Sequence, residues 1–347
     1  MASVPDSRKN EQLSEEEIAL YDRQIRLWGM AAQARMRSAR VLLINLGSIG
    51  TEITKNVVLS GLGSLTILDN QRVTEEDLSS QFFVGQSDVG SYRLDAARSR
   101  VLEMNPRVQI NFDTDSFESK EMSYFSGFDL VLGTQMSRDG MIRLNKITRH
   151  YGIPLYMAGC NGLFAYIFID LIQFDAEERK LKSSNATSLG KTSANTEIVG
   201  VEDQRQEEGE TKYYEIITTR NYFKTFEDVL RTASLAGKLN RRQMKRVSSA
   251  VPLTFALFSN KQCQTSGELK REALLACQQL QIPESVLKDS YVEQFFEQAG
   301  VEFSPVAAII GGAVAQDVIN ILGKRQAPLN NFVVLDGITL DMPILEV

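Results

Sequence analysis

Short apolar runs alternate with helical patterns through the first half of the chain. Residues 40–47, RVLLINLG, form an almost unbroken apolar run rich in branched side chains, which is typical of a strand buried on both faces. Apolar residues then recur at helical spacing over residues 51–60, two glycines interrupt them, and SLTILD predicts a second strand that ends at Asp69. A strand, a helix and a strand in this order predict a parallel β-α-β unit.

The same alternation continues to about residue 181. RVQINFD, FDLVLGT, IPLYMAG and FAYIFIDLI predict further strands, and helical patterns at residues 94–104 and 138–150 lie between some of them. Repeated alternation of strands and helices is typical of an α/β domain with helices on both faces of a largely parallel sheet. We therefore predict a doubly wound, Rossmann-like fold over residues 1–181.

The N-terminal segment predicts two helices in front of the first strand. Ser14 and Glu17 have the spacing of a capping box, so a helix is expected to begin at about Glu15 and to carry the segment YDRQIRLWG. Gly29 is expected to end this helix, and a second short helix should cover residues 30–37.

The pattern changes after residue 181. Residues 182–212 are rich in Ser, Thr, Asn and Glu and poor in large apolar side chains, which predicts a flexible polar insertion. Residues 213–299 carry mainly amphipathic helical patterns and predict a helical subdomain. These patterns cover residues 226–239, 241–258, 269–280 and 284–298.

The last segment, residues 300–347, predicts a return to the α/β domain. Ser304 is expected to cap a long apolar helix with Pro305 at its first position, and the adjacent Gly311 and Gly312 leave room for close packing. NFVVLDGITLDM then predicts a strand, an Asp-Gly turn and a second strand, a hairpin that extends the sheet.

Composition and charge exclude several classes of protein. With 43% hydrophobic and 24% charged residues, the chain can bury a substantial core, and its net charge of −6 disfavours a nucleic-acid partner. The polar N-terminus and the lack of a run of 18 apolar residues disfavour secretion and a membrane partner, which leaves the cytoplasm or the nucleus. Three widely spaced cysteines disfavour a disulfide framework or a zinc site, and no metal site is predicted.

The segment INLGSIG is close to the dinucleotide-binding pattern G-x-G-x-x-G. Gly47 and Gly50 are present, but Asn45 stands at the first glycine position; Asn tolerates left-handed dihedral angles, so the tight turn is expected to survive. Asp69 lies where a dinucleotide enzyme places its ribose-binding acid, which makes an NAD-dependent oxidoreductase one candidate. The alternative is structural: the glycines only allow a helix to pack on a strand.

Three separated segments resemble one family. YDRQIRLWG, VLLINLGSIGTEITKNVVLSGLGSLTILD and PVAAIIGGAVAQDVINILGKRQAPLNNFVVLDG resemble, in this order, the adenylation domains of the E1 enzymes that activate ubiquitin-like proteins. The resemblance implies that residues 1–181 and 300–347 form one adenylation-type (ThiF/E1) domain. The chain length and the opening segment resemble the smaller subunits of the heterodimeric E1 enzymes that activate SUMO.

Measured against that family, the nucleotide site of this chain is degenerate. E1 domains with a complete site read roughly D-x-D-x-V-x-x-S-N-L-N-R-Q after the second strand, whereas this chain reads DNQRVTEEDLSSQ. Asp69 and Gln81 match the pattern, Gln71 replaces the second acid, and Asp77 and Ser80 stand where the family has phosphate-binding Asn and Arg. A carboxylate at a triphosphate position is electrostatically unfavourable.

The metal ligand and the nucleophile of the family are also missing. Met136 stands at the position of the metal-binding acid, and a thioether is a poor ligand for a hard cation. The C-T-x-x-x-x-P segment that carries the thioester cysteine is absent, so the helical subdomain is expected to lack a catalytic cysteine. The resemblance therefore implies that this chain holds no cofactor, and that ATP, Mg²⁺ and the reactive cysteine lie on a partner, the catalytic subunit of a heterodimer that acts on SUMO.

One residue of this chain is still expected to take part in the reaction. In the family, the arginine of the Y-D-R-Q segment reaches across the dimer to the ATP phosphates bound by the other half, and that position is Arg23 here. The alternative is an ordinary ion pair with Asp22, and Arg26 is a weaker candidate one turn away. The resemblance implies a nuclear and cytoplasmic subunit that is inactive alone; an NAD oxidoreductase, an autonomous adenylating enzyme and a non-catalytic scaffold remain as alternatives.

Overall fold

A twisted eight-stranded sheet forms the centre of the fold. The structure is a computed structural model that describes residues 13–183, 187–206, 212–259, 263–324 and 326–347. Within these residues, four further strands form a second, antiparallel sheet that is not hydrogen-bonded to the first. The strands are β1 Arg40–Ile44, β2 Ser64–Leu68, β3 Gln109–Asp113, β4 Leu130–Thr134, β5 Leu155–Asn161, β6 Phe164–Asp170, β7 Gln173–Leu181, β8 Gly190–Lys191, β9 Thr196–Gln206, β10 Lys212–Tyr222, β11 Phe332–Asp336 and β12 Ile344–Leu345.

The order of strands in the main sheet is β12-β11-β6-β5-β4-β1-β2-β3. Strands β3, β2, β1, β4 and β5 are parallel, as expected for a doubly wound α/β domain, and this prediction is confirmed. Strand β6 pairs antiparallel with β5, and β11 pairs antiparallel with β6. Antiparallel strands therefore complete one side of a parallel core.

Helices cover both faces of the main sheet and build the helical part of the chain. The capping box is present, since Ser14 N–H donates to Glu17 Oε2 over 2.9 Å. The single helix predicted from Glu15 is divided at Tyr21 into two helices, Glu15–Leu20 and Asp22–Trp28, and Gly29 ends the second. The helices are α1 Glu15–Leu20, α2 Asp22–Trp28, α3 Met30–Ser38, α4 Ser48–Leu59, α5 Asp77–Ser80, α6 Arg93–Met104, α7 Met122–Phe125, α8 Arg138–Tyr151, α9 Phe226–Thr232, α10 Arg241–Met244, α11 Ala250–Leu257, α12 Ser266–Leu280, α13 Asp289–Gln298 and α14 Ser304–Gly323.

The part of the predicted insertion at residues 182–212 that the structure describes is not an irregular loop, because β8, β9 and the first residue of β10 lie in it; its flexibility stays a prediction. Strands β9 and β10 form a long antiparallel ladder, and β7 pairs with the other edge of β10. Few of the described side chains of these strands are buried, so the ladder rests on backbone hydrogen bonds and not on a core that hydropathy would indicate. Residues 184–186 and 207–211 of this segment lie outside the described residues.

The helical part begins later than predicted. Residues 213–222 belong to β10, and the helices start with α9; the patterns predicted over 226–239 and 241–258 form shorter helices with turns between them. Their apolar faces join the face of the main sheet that α8 covers, in one continuous hydrophobic core. The division of the chain into domains stays a prediction.

Two details of the C-terminal segment also differ. Helix α14 begins at Ser304 itself, with the extended Phe303 at its N-cap and no side-chain cap, so Ser304 is not the cap. The predicted hairpin is wider than an Asp-Gly turn: Asp336 Oδ1 accepts from the N–H groups of Ile338 and Thr339, and the return strand is β12 instead of ITLDM. These hydrogen bonds widen the turn, and the strand that pairs with β11 begins further along the chain than predicted.

Helix α14 is the longest helix and packs against α4, α3 and the sheet. It is the one helix among the described residues that is long and apolar enough to cross a membrane by length and composition. Val306, Ile310, Val314 and Val318 are nevertheless buried in the core shared with β1 and α4. Its apolar character is accounted for by packing inside the fold.

The two adjacent glycines of α14 should respond in opposite directions to substitution. A Cβ atom on Gly311 would lie 2.5 Å from Cβ of Glu52 and 3.2 Å from the carbonyl oxygen of Ile49, whereas Gly312 has open space. Gly311→Ala should lower the free energy of unfolding by about 1–3 kcal/mol. Gly312→Ala should raise it by up to about 1 kcal/mol through helix propensity. Urea denaturation of the two single variants is the measurement, and equal midpoints would contradict the close approach of α14 to α4.

Candidate nucleotide-type site

The turn between β1 and α4 keeps the geometry of a nucleotide-binding turn. Asn45 has φ +69°, in the left-handed region, so the expectation that Asn preserves the turn is confirmed. Its side-chain Nδ2 donates to the carbonyl oxygen of Thr134 at 2.7 Å, and Thr134 Oγ1 donates back to the Asn45 carbonyl at 2.7 Å. A Cβ atom on Gly50 would overlap the Asn45 carbonyl, which explains the glycine required there.

A carboxylate of the same chain lies at the N-terminus of α4. Glu302 Oε2 accepts a hydrogen bond from Ser48 N–H over 2.6 Å, and a Cβ atom on Gly47 would overlap this carboxylate. Glu302 lies 254 positions further along the chain than Ser48. The end of the helix that commonly receives a phosphate therefore already bonds an anion.

Asp69, the expected ribose acid, is turned into the protein. Its Oδ2 accepts from Leu46 N–H over 2.7 Å and its Oδ1 from Gln71 N–H over 2.6 Å, and its side chain has 0% exposure. Burial raises the pKa of Asp69, although these hydrogen bonds and the charge of Arg93 oppose the rise. No face of this carboxylate is open to a ribose hydroxyl.

Asp77 is paired, so the electrostatic conflict expected at this position is resolved within the chain. Arg93 Nη2 lies 2.9 Å from Asp77 Oδ1, and Thr74 N–H donates to Asp77 Oδ2 at 2.8 Å. Burial would raise the pKa of Asp77, but hydrogen bonds from Thr74 and Gln81 and the Arg93 charge outweigh it, and the pKa lies below its usual range. Arg93 Nη1 also lies 3.8 Å from Asp69 Oδ2, so one cation serves two buried acids.

The other predicted site positions, Ser80, Gln71 and Met136, have different surroundings. Ser80 is buried, and its hydroxyl faces the carbonyl oxygen of Asp77 at 3.5 Å. Gln71 is exposed and uses its backbone, with its carbonyl accepting from Arg93 N–H at 3.0 Å. Met136 packs against the core, with its sulfur 2.6 Å from the place where a Gly133 Cβ would lie. Within the described residues, no group of three or more His, Cys, Asp or Glu side chains could hold a metal ion.

Two of the three cysteines are unsuited to nucleophilic attack. Cys160 is buried, and burial together with the charge of Glu302 raises its pKa to about 12. Cys277 packs inside the helical core, and burial raises its pKa to about 11. Thiols with such pKa values carry almost no thiolate at neutral pH. Cys263 is half-buried.

Arg23 is held at the surface by inward-facing neighbours. Tyr21 is buried, and its hydroxyl accepts a hydrogen bond from Asn105 Nδ2 at 2.8 Å. Gln24 Nε2 donates to the Leu59 carbonyl at 3.2 Å, and Trp28 Nε1 donates to Gln33 Oε1 at 2.8 Å. These bonds fix the inner face of α2 against α3 and α4, so that Arg23, on the other face, is exposed.

The suggested ion pair between Arg23 and Asp22 is absent. Asp22 instead pairs with Arg26, one turn along the helix, at 3.0 Å. Arg23 makes no hydrogen bond or ion pair with any part of the chain that the structure describes. Arg23 is therefore an exposed cation on a helix whose inner face is anchored.

Comparison with known proteins identifies this architecture. The ThiF family pattern matches residues 21–347, nearly the whole chain. The chain belongs to the ThiF family. It is 56% identical over 343 residues to DNA damage tolerance protein RHC31 of Saccharomyces cerevisiae, covering 97% of this chain and 99% of that protein. It is 32% identical over 339 residues to SUMO-activating enzyme subunit 1 of Homo sapiens, covering 94% of this chain and 93% of that protein.

A solved structure shares the fold. The crystal structure of selenomethionine PaaA superimposes with a TM-score of 0.55 and 14% identity, over 99% of this chain and 79% of that chain. At this identity the likeness concerns the fold alone. Together with the parallel sheet, it assigns the chain a Rossmann-like ThiF fold, as the sequence predicted.

Sequence reasoning missed two residues of this ThiF site. Arg93 lies in the ordinary helical pattern of α6, and only the knowledge that Asp77 is buried would point to a cationic partner. Glu302 precedes α14 and has no local signal that connects it to the turn at Gly47. Tertiary packing brings Arg93 to Asp69 and Asp77, and Glu302 to the turn.

Proposed function

We propose that the chain is the non-catalytic subunit of a heterodimeric E1 enzyme that activates the C-terminal glycine of SUMO. The partner subunit binds ATP and Mg²⁺ and carries the cysteine that forms the thioester. The observation that carries this proposal is Asp69: both of its oxygens accept backbone N–H groups, and its side chain is wholly buried. Because Asp69 is already hydrogen-bonded within the chain and cannot bind a ribose, we infer that another chain binds the nucleotide.

The similarity to SUMO-activating enzyme subunit 1 proteins supports the choice of modifier. Relatives with that name match 94% of this chain at 30–32% identity. The assembled heterodimer, and not this chain alone, binds SUMO. We place the heterodimer in the nucleus and also in the cytoplasm.

Arg23 supplies the contribution of this chain to the chemistry. Adenylation moves negative charge onto the departing pyrophosphate, and a preorganised cation in a dry site stabilises that charge strongly. Arg23 is exposed and unpaired among the described residues, and its helix is anchored on its inner face. We therefore assign it to the phosphates of ATP held by the partner subunit.

The N-terminal helices supply a docking face for the partner. Leu20, Leu27 and Met30 are exposed at 59%, 68% and 44%, around the helix that carries Arg23, and Leu59 at the end of α4 is 46% exposed. A cluster of exposed large apolar residues is typical of an interaction surface. Obligate interfaces of this kind bury about 2,000 Å² or more in total.

The rival functions fit the site less well. An NAD oxidoreductase needs Asp69 open to a ribose, and an autonomous adenylating enzyme needs cationic and amide ligands where Asp77 and Ser80 lie. A pure scaffold has no requirement for an unpaired Arg23. The heterodimer proposal accounts for all three features.

The isolated chain is expected to bind ATP negligibly and to activate no modifier. Titration calorimetry with ATP and Mg²⁺ should give no binding isotherm up to about 1 mM, where an interaction would be worth about 4 kcal/mol. The reconstituted heterodimer, measured in the same buffer, is the positive control. Micromolar binding of ATP by the lone chain would refute the proposal.

A further inference from the structure

The N-terminus of α4 holds an anion that belongs to the protein. The first N–H groups of a helix have no partner within the helix and carry the positive end of its dipole, which is why such turns bind phosphate. Here the Ser48 N–H donates to Glu302 Oε2 over 2.6 Å. The donor that a nucleotide-binding turn offers to phosphate is bonded to a carboxylate.

Gly47 provides the space for this carboxylate. In a working turn the second glycine lets the backbone approach the pyrophosphate closely. In this chain a Cβ atom at position 47 would overlap the Glu302 carboxylate, with Oε2 at 2.9 Å. The glycine therefore accommodates a side chain of the same protein.

The segment that presents Glu302, residues 300–303, is anchored on both sides of that residue. Gly300 N–H donates to Asn161 Oδ1 at 2.9 Å, and Gly162 N–H donates to the Val301 carbonyl at 2.8 Å. On the other side of Glu302, the Phe303 carbonyl accepts a hydrogen bond from Ala307 N–H at 2.9 Å. The carboxylate is thus held in place before any ligand arrives, which lowers the entropic cost of its bond to Ser48.

From this geometry we propose that Glu302 is a built-in substitute for a phosphate group, an autoinhibitory contact that closes the turn to phosphate-containing ligands. The inference rests on the proposed function, because it explains what fills the nucleotide turn of a subunit that leaves ATP to its partner. It adds that the turn keeps its ability to bind an anion and is closed by one side chain. Removing that side chain should reopen the turn to inorganic phosphate, but not to ATP, because Asp69 and Asp77 remain as they are.

Hydrogen–deuterium exchange on the reconstituted heterodimer tests this contact, with inorganic phosphate as the probe. In Glu302→Ala, exchange of the peptide that spans residues 46–52 should rise on the order of 10-fold. Phosphate at about 20 mM, against NaCl of equal ionic strength, should restore at least half of the lost protection. Unsubstituted heterodimer should show no phosphate effect on this peptide.

Two further variants separate charge from shape. Glu302→Gln fills the same space with a neutral acceptor, so it should lose part of the protection and gain no phosphate response. Glu297→Ala removes an exposed acid from the end of α13, near Glu302 in sequence, and should match the unsubstituted protein in both measurements.

Several outcomes would overturn the inference. Unchanged exchange in Glu302→Ala would mean that the carboxylate does not protect the turn. If phosphate protects this peptide equally with and without the Glu302 side chain, Glu302 does not exclude phosphate from the turn. ATP–pyrophosphate exchange by the same samples distinguishes the two proposals. If the heterodimer is active and one of these two negative results is obtained, only the inference about Glu302 is contradicted. If ATP protects the peptide that spans residues 46–52, the proposed function is contradicted.

Discussion

Replacing Arg23 with alanine should slow ATP–pyrophosphate exchange by the reconstituted heterodimer roughly 10²- to 10³-fold at saturating ATP. The physical reason is the loss of one cation aimed at charge that develops on the pyrophosphate, in a site from which water is excluded. Substrate binding should change less than the rate, because the charge to be stabilised is largest in the transition state.

The matched control is Arg26→Ala. Arg26 lies one turn further along α2, its side chain is 78% exposed, and it already pairs with Asp22 at 3.0 Å. Its loss should change the rate by less than about 3-fold, since an exposed ion pair contributes little. Arg23→Lys should recover part of the activity, because it keeps the charge and loses the planar donors.

Heterodimer formation must be measured beside the rate. Gel filtration of Arg23→Ala with the partner should give the same complex as the unsubstituted chain, because the apolar residues around Arg23 remain. A normal exchange rate in an intact complex would remove Arg23 from the mechanism. The chain would then be a scaffold.

Replacing Arg93 with methionine should lower the free energy of unfolding by about 3–5 kcal/mol. Methionine keeps much of the side-chain volume but leaves Asp69 and Asp77 unpaired, and these side chains are 0% and 3% exposed. Arg100→Met on the same helix is the control; Arg100 is exposed, so its loss should change stability by less than about 0.5 kcal/mol. Urea denaturation at neutral pH measures both.

The deficit of Arg93→Met should shrink as the pH falls. In the unsubstituted chain the pKa of Asp77 is below its usual range, so its contribution is present above about pH 4 and is lost in acid. Without Arg93, burial raises the pKa of both carboxyl groups in the folded state, which then binds protons more readily than the unfolded chain and gains stability as the pH falls. Stability curves compared between about pH 8 and pH 5 should therefore converge.

Adding Asp77→Asn should restore part of the stability lost in Arg93→Met. The amide carries no charge, so one source of repulsion with Asp69 disappears. A constant deficit at every pH, or no recovery in the double variant, would show that Arg93 acts through packing alone.

The parallel core of the fold was predictable because its signals are local. Strands β1 and β4 are buried on both faces and therefore consist of continuous apolar residues, and the helices between strands carry regular periodicity. The left-handed Asn45 was predictable for the same reason, since a dihedral preference belongs to the residue itself.

The second sheet and the closure of the site were not predictable in this way. Strands β9 and β10 have mostly half-buried side chains, many of them polar or charged, so their hydropathy resembles that of a loop, and the ladder between them is visible only in three dimensions. Arg93 bonds Asp77, which lies 16 positions away, and Glu302 bonds Ser48, which lies 254 positions away. Tertiary packing brings both pairs together. Asp77, at the position of a phosphate-binding Asn in the family pattern, indicated that this position does not bind phosphate. Nothing in the local sequence indicated that Arg93 pairs with Asp77 instead.

The bond between Glu302 and Ser48 also bears on whether this turn could be made to bind a nucleotide. Restoring one phosphate-binding side chain near Asp77 would leave the turn filled, and clearing the turn first would sacrifice a stabilising contact before any catalysis returned. A nucleotide would therefore gain access to this turn only after at least two changes made together, one that clears Glu302 and one that supplies a phosphate ligand.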